Sequence, residues 1–65
     1  MSKIDSATII AVQHGPEQPV SLTTWGEFRR DNADAFERAD FDAMADEMAA
    51  GGPVNAGWSM IWIVE

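Results

Sequence analysis

Nearly all the side chains able to do chemistry in this chain are carboxylates, and they are concentrated. Between Thr24 and Gly52 lie Glu27, Asp31, Asp34, Glu37, Asp40, Asp42, Asp46 and Glu47, eight of the 11 acids in 65 residues. Carboxylates can share a proton in acid–base catalysis, ligate a hard cation, or present a charge array to a basic surface. Catalysis by a carboxylate pair needs a cleft, which a chain this short rarely builds. The sequence also has no P-loop, no GxSxG and no cysteine nucleophile, so no enzyme activity is expected. Asp40-x-Asp42 followed by Asp46-Glu47 hints at calcium. An EF-hand loop, however, needs glycine at its sixth position, where Ala45 stands, and this segment reads as helix. No metal and no cofactor are expected. The one histidine, His14, sits beside Gly15 with no second histidine, cysteine or serine partner arranged around it, and reads as a turn residue.

The charge array therefore carries the functional reading. Glu27, Asp31 and Asp34 follow i, i+4, i+7 and would line one face of a continuous helix. Asp34 and Arg38 form a favourably ordered i, i+4 pair, whereas Asp42 and Asp46 form a like-charged one. No base follows Arg38, yet five acids do, the last being Glu65. Capping and the helix dipole account for Asp40, Asp42 and Glu27, and extend to Asp34. They do not account for Asp31, Asp46 or Glu47. Carboxylates on successive helical turns stand ~5–6 Å apart at Cβ, comparable with a nucleic-acid strand carrying one charge per ~3.4 Å. Glu27, Asp31, Asp34, Glu37, Asp42, Asp46 and Glu47 are thus candidate partner-binding residues on a surface imitating DNA. A plain solvated acidic helix would give the same pattern.

Composition narrows the partner. A net charge of −7 argues against direct contact with nucleic acid or an anionic membrane, both polyanions. It favours a basic protein partner and fast, steered association, and it favours a monomer. Sixty-five residues make one domain, 1–65, burying only about 60% of its unfolded surface. With no cysteine there are no disulfides, so stability must come from packing, a dimer or a bound partner. Trp25, Trp58 and Trp62 could each bury a large area. No run approaches the ~20 apolar residues of a membrane span and no signal segment is visible, which makes the cytoplasm the expected location.

The elements that would position the acids follow from pattern. Residues 1–5 read as a frayed end. SATIIAVQ, about 6–13, is β-branched and apolar on both faces, hence a central or covered strand. Gly15, Pro16 and Pro19 mark a loop, and Val20-Ser21-Leu22 gives a brief strand closing a hairpin. Thr24-Trp25-Gly26-Glu27 has capping-box spacing and opens a helix at about 25–32, with Gly26 weakening its first turn by roughly 1 kcal/mol. Phe36, Ala39 and Ala43 fall on a different helical face from Phe41, Met44, Ala45 and Met48, so one straight helix is excluded. A short helical turn at about 34–38 and a second helix at about 41–50, capped by Asp40 and stopped by Gly51-Gly52-Pro53, are expected. Phe28, Phe36, Phe41, Met44 and Met48 would face inward. Val54 to Gly57 reads as loop, and 58–64 as the strongest strand, with Trp58, Met60, Trp62 and Val64 on one face and Ser59, Ile61 and Ile63 on the other. The expected fold is α+β: a small antiparallel sheet with two short helices and a connecting turn packed on one face. The other sheet face is then either packed by loops and chain ends or left as an apolar binding patch.

In size, acidity and lack of cysteine the chain resembles the small phage-encoded anti-CRISPR proteins directed at type I Cascade complexes, type I-C in particular. The resemblance is one of class, covers the chain generally and carries no motif. It implies inhibition in the host cytoplasm by binding a Cas subunit on the basic surface that reads the PAM or holds target DNA. A rival from another class is a small antitoxin-like or regulatory protein that binds its partner through the Trp58/Trp62 strand face. A third is a structural component whose main act is self-association.

Overall fold

Four antiparallel strands carry two helices on one side of the sheet. The structure is a computed structural model and describes residues 4–64. The chain runs β1 (Ile9–Gln13), β2 (Val20–Thr24), α1 (Trp25–Asp31), α2 (Arg38–Ala49), β3 (Val54–Ala56) and β4 (Ser59–Ile63). Strand order is β2-β1-β4-β3, so β1 and β4, the two most apolar strands, are central. This is the α+β architecture the sequence pattern implies.

Register fixes which side chains share a face. Ile10 lies between Thr23 and Ile63, Val12 between Ser21 and Ile61, and Val54 lies opposite Ile61. Ile10 and Ile61 are fully buried, at the centre of the core. Against them pack Trp25 and Phe28 from α1 and Phe41, Met44, Ala45 and Met48 from α2. Phe41 is the hub: its ring meets Trp25, Phe28 and Phe36 edge-on at centroid distances of 5.9, 6.5 and 5.8 Å. Edge-to-face geometry is the favoured arrangement for such rings. Phe36 is only half-buried, packed on the rim of this cluster.

The helix ends follow local chemistry. Thr24 Oγ1 accepts from the Glu27 N–H at 3.2 Å, the expected cap. The Glu27 carboxylate, however, accepts from the Thr23 hydroxyl at 3.0 Å rather than from the Thr24 amide. The next two free amides of α1 are satisfied by the preceding turn: Trp25 N–H donates to Thr8 O and Gly26 N–H to Ser6 O. A Cβ on Gly26 would lie 2.7 Å from Ser6 Cβ. The glycine that weakens this helix locally is therefore required for the chain to cross it. At the far end Gly51, at φ +106, closes a Schellman motif, with Gly51 N–H donating to Met48 O and Gly52 N–H to Glu47 O.

Several sequence expectations need correction. Residues 6–8 are not strand, because Asp5 and Thr8 bond each other's backbone and side chains in a turn. The frayed end does not include Ile4, which is buried in the core; residues 1–3 lie outside the described residues. The 34–38 helical turn is instead a turn over residues 32–35, fastened by Ala35 N–H to Asn32 O. α2 starts at Arg38, with Glu37 as N-cap and Asp40 at its third position, where Asp40 Oδ2 accepts from the Glu37 N–H. Ala39 and Ala43 consequently point to solvent. Val54–Ala56 is a strand, recruited by β4. Trp58 is 97% exposed, because it occupies the two-residue turn between β3 and β4 and buries nothing.

Candidate partner-binding surfaces

All seven acids singled out in the sequence are exposed, and the helices distribute them in groups. Asp42 and Asp46, four residues apart on α2, share one flank. Glu47 lies about 100° round from Asp46, on the flank of Asp40. Glu27 and Asp31 share a flank of α1. Asp34 falls in the 32–35 turn, so the i, i+7 continuation of that line and its helical pairing with Arg38 are both lost. Glu37 stands at the α2 N-cap.

What holds these acids separates them further. Glu27 is tied to Thr23, Asp40 to the Glu37 amide and Asp5 to its own turn. Asp31, Asp34, Asp42, Asp46 and Glu47 make no side-chain hydrogen bond, and no ion pair forms among the described residues. Asp46 and Glu47 lie in the last turn of α2, which contains no base. There the helix dipole opposes a negative charge. Asp31 borders a cleft of about 360 Å³ with Val12, Ser21, Thr23, Phe28 and Asn32.

Between the two helices the sign of the charge reverses. Arg29, Arg30 and Arg38 border one hollow of about 450 Å³ with Phe36 and Phe41, and no carboxylate borders it. The Arg29 guanidinium stands 5.7 Å from the Phe41 ring centroid, a cation–π distance. Spacing alone gave no sign that three of the chain's four basic residues meet here, since α1 and α2 are brought together only by the core.

His14 has the serine partner that the sequence did not suggest: its Nδ1 lies 2.7 Å from Ser59 Oγ. The pair ties the β1–β2 loop to β4. His14 borders the Asp31 cleft, and Ser59 borders a separate hollow with Pro16 and Trp58. Among the described residues no group of three or more potential ligands is placed to hold a metal, and no helix is long and apolar enough to cross a membrane.

The opposite side of the sheet carries no helix. Residues paired across it form rows, Leu22–Ala11–Trp62 and Val20–Gln13–Met60, with Ile9 beside Thr24 and Val64 bonded to the Ile9 carbonyl. Leu22 is 65% exposed and Val20 48%. None of the described strand residues on this face is charged. The Met60 and Trp62 face of the last strand is thus the uncovered one, with Trp58 in the turn before it and Val64 just after it. No protein-family model matches the chain, and neither a curated protein nor a solved structure matches it.

Proposed function

We propose that this chain is a protein inhibitor that uses its acidic helical layer to occupy a basic, nucleic-acid-binding surface of a protein partner. The observation that carries the reading is the end of α2. Asp46 and Glu47 sit against the helix dipole, unpaired and without a hydrogen bond, next to the like-charged Asp42. Charges that cost the helix stability and hold nothing in place have their use outside the molecule. Asp31, at the end of α1, and Asp34, in the 32–35 turn, add further unpaired negative charge. A basic groove that binds phosphates supplies the complement.

The resemblance to anti-CRISPR proteins gives the reading its specific form. The partner is then a Cas subunit of a type I Cascade complex, type I-C in particular, engaged at its PAM-reading or target-DNA surface in the host cytoplasm. The test is competition against target DNA for the purified complex, comparing the native chain with the variant Asp31→Asn/Asp46→Asn/Glu47→Gln. The variant should keep its helical circular dichroism and lose at least tenfold in competition. Undiminished competition by a folded variant would reject the reading.

A further inference from the structure

We infer that the open sheet face is a homodimer interface, on which a second copy of this chain stacks back to back. Ile9, Val20, Leu22, Trp58, Met60 and Val64 are between 37% and 97% exposed. Without Trp58 they show on the order of 450 Å² of largely apolar surface, within the ~300–600 Å² of the largest patch on a typical monomer. The exposed Trp58 side chain, in the β3–β4 turn beside Met60, extends the patch at one end toward the ~800 Å² that each partner contributes to a standard interface. Ala11, at the middle of the face, is already closed over by its neighbours at 2% exposure, so the surface is continuous across the central strands.

Charge selects the occupant. The chain carries −7, so two copies repel wherever their acids meet. This face has no charged strand residue among those described, and the candidate acids on α1, α2 and their connection lie on or beside the other layer. Stacked sheets pack ~10 Å apart, and in this arrangement both helical layers point outward, away from the contact. A two-fold axis through the face lets an apolar surface meet its own copy, the commonest form of self-association. The resulting four-layer particle would present an acidic surface on each side. For a 65-residue chain without disulfides, the dimer also supplies the burial that a single core of this size lacks.

Sedimentation of the full chain over a range of concentrations tests the inference. The native chain should run as a dimer, and raising the salt should tighten it, because screening removes the like-charge repulsion. Leu22→Lys on β2 and Met60→Lys on β4 lie on different strands and share only this face. Each should weaken dimerisation at least tenfold while leaving circular dichroism unchanged. Each also makes the chain less negative, so electrostatics alone would push the result the other way. A native chain that stays monomeric at ~1 mM, even if a different protein occupies the face, overturns the inference, as does a dimer that survives both substitutions. Loss in Leu22→Lys alone would place the contact at the β2 edge and overturn it too.

Discussion

The two sides of this molecule draw on the same two central strands and are finished in opposite ways. On the helical side, β1 and β4 contribute Ile10, Val12, Ile61 and Ile63 to a core closed by five aromatic and methionine side chains of α1 and α2; outside it, acids crowd α2 while Arg29, Arg30 and Arg38 border the hollow between the helices. On the other side the same two strands present Ile9, Met60 and the half-buried Trp62, continued by Val64, with no charge among the described strand residues. The two faces suit contacts of different kinds. A charged layer acts at a distance and weakens with salt, whereas an apolar layer acts only on contact and is strengthened by salts excluded from protein surfaces.

The sharpest way to break the contrast is at adjacent positions on β4. Ile61→Ala should destabilise the chain by about 2–5 kcal/mol, enough to unfold much of a domain this small, whereas Met60→Ala should cost under about 1 kcal/mol. Chemical denaturation at concentrations low enough to keep the chain monomeric measures both, and similar losses there would mean that the second face is covered within the chain itself. Phe41→Ala belongs with Ile61→Ala, since it removes the hub of the aromatic cluster at about 3–5 kcal/mol. Next is Gly26→Ala. Helix propensity predicts a gain of roughly 1 kcal/mol, but the contact with Ser6 predicts a loss of about 1–3 kcal/mol. A raised melting temperature would show that the 5–8 turn does not hold α1.

The smallest effect falls on the acidic layer. Asp46→Asn and Glu47→Gln should each raise stability by a few tenths of a kcal/mol, by relieving the unfavourable end of the helix dipole. A clear loss in thermal melts would mean that these carboxylates have a structural partner and would weaken their assignment to a contact surface.

Sequence made the α+β plan and most of the core legible, because capping, glycine stops and apolar spacing are local. Thr24 announces α1, Gly51-Gly52 ends α2, and Phe28, Phe41, Met44 and Met48 face inward as their periodicity implies. The errors arose where a residue had two local meanings or a distant partner. Asp40 reads as an N-cap but serves as the third residue of α2, so the helix begins three residues earlier than expected. Val54-Asn55-Ala56 has little strand propensity of its own and pairs because β4 offers an edge. Trp58 fits the alternation of β4 yet falls in the turn, where alternation has no meaning. Of the candidate surfaces, the acids were legible as a set but not as groups, since Asp34 leaves the helix. The His14–Ser59 contact and the arginine hollow join residues from separate elements, and no spacing rule finds them.

The most direct measurement is the salt dependence of competition with target DNA for a purified type I Cascade complex, by the native chain and by Asp31→Asn/Asp46→Asn/Glu47→Gln. If the acidic layer is the contact, competition by the native chain should fall steeply as salt rises, and the neutralised variant should be weak at every salt concentration. Equal and salt-insensitive competition by the two proteins would contradict the account.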